Sequence, residues 1–409
     1  MKEVDFRRAT AAAPIGIVGA GIAGLVLALQ LKGLGLPSIV FEARSRDSVI
    51  HEGAFLTLAP NAINGLRAVG LDARIAAAAI VSRGMEFLDE RGIRLGFADQ
   101  SYHAEEFGAP SVTIARGVLM RLLLTACEQA GIDVHFDSAI EELVDVGEHV
   151  QLVAGGNIKK VVWVAACDGL GSQTRRRIFP DFPTPRFTGL IGTGGIAMID
   201  AVGSTDNVMR MVFGHVGFFG YLKRGDGPVY WFNSFPAEHP NSSGSTIARL
   251  RALHRADPSF VQAILAGIPE PVRDYPLFDM PVLPIWHRDK VVLVGDAAHA
   301  VGPHAGQGAA MAIEDAVTLA ACMRATSSLE AGFRRFEALR RPRVETVAKV
   351  TARNRQQKRA ATRVERWLRR LILPHVLPAG IKSIDALCAY RVELDPCLAM
   401  PASHSRIAA

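Results

Sequence analysis

The sequence predicts an α/β fold: a parallel sheet flanked by helices, an inserted antiparallel β-sheet, and a C-terminal helical segment. Three observations carry this. Apolar runs at residues 15–18, 161–166 and 291–294 each stop at a glycine-containing turn, as strands buried on both faces do. Between the second and third runs, residues 189–235 are rich in Gly, Phe, Tyr and β-branched residues and poor in helix signals. After residue 309 the chain reads as helical to about residue 373.

Taken in order, residues 15–18 form a strand, residues 22–31 a helix broken by Gly33 and Gly35, and residues 38–41 a second strand. Glu42 stands at the end of that strand. This βαβ unit has the size of a mononucleotide-binding half. Residues 117–130 read as an amphipathic helix with Val118, Leu122 and Ala126 on one stripe. In the insert, residues 218–222 and 229–232 are strands joined by the turn Arg224-Gly225-Asp226-Gly227-Pro228. A helical stretch follows over residues 246–265. The expected domains are discontinuous. Residues 1–75, 100–183 and 276–345 make a dinucleotide-binding domain, residues 76–99 and 184–275 a β-sheet substrate domain, and residues 346–409 the C-terminal segment.

Composition bounds the class. With 49% hydrophobic and 21% charged residues, the chain has the balance of a globular protein with a large core. Its five cysteines (127, 167, 322, 388 and 397) are scattered, with no CxxC pair. That argues against a disulfide framework or a thiolate metal site and suits a reducing, cytoplasmic setting. Lys2, Arg7 and Arg8 precede an apolar run, as in a signal peptide, but glycines punctuate that run and it is short for a membrane span. We therefore expect no integral membrane segment. Residues 334–370 carry a net charge of +11, against +6 for the whole chain. The expectation here is a solvated helix, with arginines facing water and Phe336, Leu339, Val347, Val350 and Trp367 facing protein. No nucleic-acid motif accompanies the charge, so nucleic acid is not an expected partner.

Three motifs carry the chemistry. In Gly19-Ala20-Gly21-Ile22-Ala23-Gly24 a strand turns into a helix. Gly19 permits the tight turn, Gly21 the approach of a pyrophosphate, and Gly24 close helix–strand packing. The helix N-terminus offers N–H groups to phosphate. Glu42 suits ribose hydroxyls, and Arg44 lies on the adenosine side. The second motif, Asp168-Gly169-Leu170-Gly171-Ser172-Gln173-Thr174-Arg175, reads equally as a turn capped by Ser172. The third is Gly295-Asp296-Ala297-Ala298-His299, followed by Pro303 and Gly306-Gln307-Gly308. Asp296 suits a ribityl hydroxyl, and the helix after Gly308 can stabilise charge on a flavin. His299 reads as structural; His304 is an acid–base candidate.

Together these motifs resemble the single-component FAD-dependent aromatic monooxygenases of the p-hydroxybenzoate hydroxylase-like fold. The resemblance covers roughly residues 14–345. It implies a Rossmann-like FAD-binding domain, non-covalent FAD, reduction by NADH or NADPH, and a C4a-hydroperoxyflavin that delivers one oxygen atom of O2. It assigns Gly19, Gly21, Gly24 and Glu42 to the ADP part and Arg116 to a place beside the FAD. Asp168 and Gly169 match the motif tied to FAD and nicotinamide nucleotide. Asp296 and residues 306–308 match the ribityl and isoalloxazine contacts, and Gly53-Ala54 the loop near the flavin ring. One departure stands out: Phe218 occupies the place where many members carry an arginine facing the flavin.

The expected function is hydroxylation of a small aromatic or polycyclic substrate. His215, Phe218, Tyr221, Tyr230, Trp231 and Asn233 are candidates to line its pocket, and His215, Phe218, Tyr221 and His304 are the catalytic candidates. About half of the pocket candidates must point elsewhere, because strand side chains alternate. No metal is expected, since the cofactor carries the hard step. Epoxidation, tetracycline-type inactivation, and a halogenase or reductase of the same fold are alternatives. The halogenase signature Trp-x-Trp-x-Ile-Pro is absent; Pro284-Ile285-Trp286 does not match it. An alternative of another class is a non-catalytic FAD- or nucleic-acid-binding protein. The chain is expected to be a monomer or homodimer.

Overall fold

The computed structural model describes residues 9–240, 247–356 and 362–392, the side chains of His304 and Gln356 excepted. Lys2, Arg7, Arg8 and Cys397 lie outside these residues. The other four cysteines are buried.

A six-stranded sheet forms the centre, in the order His287–Arg288, Val291–Leu293, Val164–Ala166, Ile15–Val18, Ser38–Phe41 and Asp133–His135. Its neighbours are parallel except at the His287–Arg288 edge. Val18 registers with Ala166, and Ala166 with Leu293. The three motif turns therefore leave adjacent strands at the same carboxyl end, where open α/β sheets bind ligands. Almost every side chain of these three strands is fully buried, which explains their unbroken apolar character.

Two expectations change in detail. The apolar run at residues 161–166 is two strands: Asn157–Val161 joins a three-stranded antiparallel sheet, and Val164–Ala166 joins the central one. Trp163 turns inward between them, against Phe333 at 5.4 Å. The helix Arg116–Gln129 buries Leu119, Met120, Leu123, Leu124 and Cys127. Val118, Leu122 and Ala126 are only partly buried, so the core stripe is turned by one residue from the expected one.

The insert is a seven-stranded sheet, in the order Asp274–Asp279, Arg186–Ala197, Val229–Pro236, Phe218–Lys223, Val208–Phe213, Gly84–Leu88 and Arg94–Asp99. It is antiparallel except between Val208–Phe213 and Gly84–Leu88. Ile247–Leu253 and Ser259–Ala266, two helices rather than one, cover one face.

Leu329–Gln356 is one continuous helix through residue 345, where a boundary was expected. Phe336 and Val347 are buried in the core, and Leu339 and Val350 pack against it. Two expectations for the basic stretch fail. Arg340 is fully buried rather than solvated, and Trp367 is 57% exposed rather than facing protein. Arg340 is drawn inside by two buried carboxylates, whereas the second helix, Arg363–Cys388, turns Arg366, Arg369 and Arg370 inward and Trp367 outward.

Candidate cofactor and substrate site

The first turn is built by close approach. Gly19 adopts φ +106°, and its N–H donates to the Phe41 carbonyl at 2.7 Å. A Cβ on Gly24 would overlap the Gly19 carbonyl, so the helix Ile22–Gly33 sits directly on the turn. Around Gly21, by contrast, a Cβ would meet nothing within 4 Å. Open space thus lies before the N-terminus formed by Ile22 and Ala23, which suits a phosphate. Glu42 is buried, and its Oε2 accepts the Ala20 N–H at 2.8 Å. Its Oε1 accepts from Arg44 N–H at 3.0 Å and Nε–H at 2.8 Å. Burial alone would raise its pKa, but the bonds from Arg44 and Ala20 outweigh it and hold Glu42 below its ordinary value.

Arg44 also reaches Glu52 at 2.7 Å, and the Glu52 carbonyl accepts from Arg116 Nη1 at 2.7 Å. Arg116 donates further to the Val49 carbonyl at 3.0 Å. Gly53, at φ +82°, makes room for this side chain: a Cβ there would lie 2.7 Å from Arg116 Cδ. The Ala54 carbonyl accepts the Arg116 N–H at 3.1 Å. The loop and the arginine therefore form one unit.

The second motif caps a helix. Asp168 Oδ1 accepts the Ser172 hydroxyl at 2.5 Å, and Oδ2 the Thr174 N–H at 3.0 Å. Ser172 Oγ accepts the Arg175 N–H at 2.9 Å. The turn bends at Gly169, φ +74°. Arg175, nearly fully buried, donates to the carbonyls of Leu170 and Ala297, both at 2.7 Å. It ties the second turn to the third.

The third turn rests on groups the sequence reading missed. Asp315 Oδ2 accepts the Gly295 N–H at 2.9 Å and pairs with His299 Nε2 at 2.6 Å. Its Oδ1 accepts from Arg340 Nε at 2.7 Å. Burial would raise the Asp315 pKa, but His299 and Arg340 pull it down to about 2. Glu314 pairs with Arg340 at 2.8 Å and Arg343 at 3.0 Å. Asn61 donates to Glu314 at 2.7 Å and to Gln307 at 2.8 Å. One signal was available: Glu314-Asp315 are adjacent acids inside an otherwise apolar helical run. A polar pair there must be buried with partners.

Asp296 differs from its neighbours. Among the described residues its carboxylate has no hydrogen-bond partner. It keeps accessible surface inside the cleft, yet the surrounding protein raises its pKa, and Asp315 adds to the rise. Pro303 opens a short 3-10 turn, Pro303–Ala305; the His304 side chain lies outside the described residues. Gly306 and the buried Gln307 lead into the helix Gly308–Ala325. Its first turn carries no acid, so its N-terminal dipole is left for a ligand.

The substrate sheet presents two chemically different faces. Phe55, just beyond Gly53-Ala54, packs on Tyr230 at 5.5 Å and Phe232 at 6.3 Å. That face points toward the cofactor cleft. By strand alternation and register it also carries Phe218, Leu222, Met209, Met211, Phe213, Ile196 and Met85. Phe218 sits against Phe213 at 5.1 Å. No charged side chain lies on the face across these strands, among the described residues. The Tyr230 hydroxyl has no protein partner there, and burial raises its pKa.

Four pocket candidates lie on the opposite face, under the two helices. Tyr221 and Trp231 are core there, and Tyr221 accepts from Arg210 at 3.0 Å. Asn233 bonds His254 at 2.9 Å, His254 bonds Asp257 at 2.7 Å, and Asp257 holds His215 at 3.0 Å. Tyr221, Trp231 and Asn233 are thus separated from Phe218 and Tyr230 by the thickness of the sheet, because they fall on the other parity of their strands, whereas His215 lies in the loop after Val208–Phe213 and is drawn to that side by Asp257.

Against known proteins, the family described as FAD binding domain matches residues 12–354. The chain belongs to the FAD-binding monooxygenase family. This monooxygenase is 29% identical over 331 residues to aurachin C monooxygenase/isomerase of Stigmatella aurantiaca, covering 79% of this chain and 84% of that one. It is 28% identical over 389 residues to 3-amino-4-hydroxybenzoate 2-monooxygenase of Streptomyces cremeus, covering 93% and 92%. In fold it matches Klebsiella pneumoniae HpxO, solved with FAD and uric acid, at a TM-score of 0.80 and 22% identity, covering 93% and 96%. It is an FAD-dependent NAD(P)H monooxygenase that hydroxylates aromatic substrates, with FAD held non-covalently.

Proposed function

We propose that the substrate of this monooxygenase is a neutral, apolar aromatic compound, held between the cofactor cleft and the inward face of the inserted sheet. The observation that supports this is that the strands themselves put no charged side chain on that face, among the described residues; Arg369 of the C-terminal helix stacks on Phe213 at its outer end. A buried carboxylate without a cation is strongly disfavoured, so a benzoate-type substrate suits it poorly. The Streptomyces relative is named for such a benzoate; this chain would differ from it.

The residues present suit FAD. The open approach at Gly21 fits a pyrophosphate, Glu42 the ribose, and the unpartnered Asp296 the ribityl chain. The N-terminus at Gly308 fits the isoalloxazine, with Gly53 and Ala54 near the ring, Arg116 beside the FAD, and Arg44 with Glu42 on the adenosine side. FAD, when bound, supplies hydride acceptance from NAD(P)H and activation of O2. Asp168 and Gly169 shape the second turn, and through Arg175 they steady the loop that carries Asp296. Phe218, Tyr230 and Phe232 offer flat surfaces that orient an aromatic ring and exclude water. Tyr230 stays protonated at neutral pH and donates a hydrogen bond to a substrate oxygen.

The test is NAD(P)H oxidation under 18O2 with a neutral hydroxyquinoline and its carboxylated analogue. The neutral compound should stimulate turnover at least about tenfold more and acquire one labelled oxygen, as expected of an unpaired buried charge in the analogue. Preference for the carboxylate would refute the reading.

A further inference from the structure

The helix Arg363–Cys388 is built inside out. Its inward side is basic. Arg370 Nε lies 2.8 Å from Asp89, Arg366 lies 3.6 Å from Glu90, and Arg369 sits over the Phe213 ring at 4.7 Å. Leu373 is buried beside Phe213 and Phe218. This side therefore closes over the outer end of the apolar substrate face. The opposite side is open and mainly apolar, with Glu365 and His375 exposed among its apolar side chains. Val364, Trp367, Leu368, Leu371, Ile372 and Val376 are between 39% and 65% exposed. Their spacing places all six on one helical face. By length and composition the helix could cross a membrane.

We propose that this face docks flat on the headgroup region of an anionic bilayer. Three observations select that occupant. Spanning would pull Arg366 and Arg370 from Asp89 and Glu90 and carry four arginines into hydrocarbon, which is strongly unfavourable. A two-fold contact with a second copy would bring the exposed basic residues of this helix, Arg363 and Lys382, from both copies into one contact. An anionic surface attracts the exposed basic residues of this helix, Arg363 and Lys382, and an apolar face carrying a tryptophan is the pattern of helices that lie in the interface. Docking also places the substrate face next to the bilayer.

Tryptophan fluorescence gives a direct readout. Trp163, Trp231 and Trp286 are at most 2% exposed, so Trp367 alone of the four is open to solvent. The FAD-loaded full chain is mixed with phosphatidylcholine vesicles, with and without phosphatidylglycerol. Vesicles containing phosphatidylglycerol should sediment the protein, blue-shift its emission and, when brominated, quench it; salt should weaken the binding. A Leu371→Glu/Ile372→Glu variant should bind at least about tenfold more weakly while keeping its flavin and its NAD(P)H turnover. Three results would each overturn the proposal. One is no sedimentation with either vesicle. Another is a concentration-dependent dimer that the double variant abolishes, which would make a second copy the occupant. The last is protection of Trp367 from iodide in the lipid-free monomer, which would mean that the chain covers its own helix.

Discussion

Asp315 does more to shape the site than its distance from any ligand suggests. It holds the Gly295 N–H, His299 and Arg340 at once, and so fixes the loop that presents Asp296. Asp315→Asn leaves Arg340 with half its compensation, and the breaking of a buried pair costs about 3–5 kcal/mol. Urea unfolding should show that loss. The pH dependence has a definite sign. The folded carboxyl titrates near 2, below its ordinary 3.8. Its stabilisation is therefore present above the higher value and fades as pH falls toward the lower one. Melting temperatures across that range should fall more steeply for the parent than for Asp315→Asn. Asp296→Ala should behave oppositely, releasing FAD while circular dichroism and melting temperature hold; full flavin occupancy would remove Asp296 from the cofactor. Tyr230→Phe should weaken substrate binding about tenfold, the size of one lost buried hydrogen bond, with flavin content unchanged. Unchanged binding would take the hydroxyl out of recognition. Asp296 was legible in the sequence because it ends a strand beside glycine. Asp315 left only the signal of adjacent acids in an apolar run, and Arg340 and Asn61 left none, because their partners lie on other elements and only folding brings them together.

At the scale of the element, the glycines of the first turn have separate tasks. Gly24→Ala would set a methyl group against the Gly19 carbonyl and push the helix off the turn. FAD retention on gel filtration should drop at least about tenfold, as overpacking that costs about 1–3 kcal/mol implies. Retention equal to the parent would mean that the turn can shift freely. The strands of the insert were legible as strands, but their parity was not. Alternation says that Tyr230 and Trp231 face opposite ways; it does not say which way is inward. Phe55 and the two covering helices decide that, and they send Tyr221, Trp231 and Asn233 outward. The basic helices mislead for a related reason. Arginine usually faces water, but Asp89 and Glu90 in one case, and Glu314 and Asp315 in the other, hold it inside.

In the whole molecule, parallel register brings the three turns together. Val18, Ala166 and Leu293 lie abreast, so motifs separated by more than a hundred residues open on one cleft. That convergence could be read from three apolar runs of similar form, each ending before its motif. The chemistry of the roof could not, since it depends on which sheet face closes the cleft. The apolar inward face, lined by Phe218, Tyr230 and Phe232, underlies the proposed preference for a neutral ring. Titration of the FAD-loaded protein with a neutral hydroxyquinoline and its carboxylated analogue, followed by flavin absorbance, tests this most directly. The neutral ligand should bind at least about tenfold more tightly and accelerate flavin reduction by NAD(P)H; tighter binding and faster reduction with the carboxylate would contradict it.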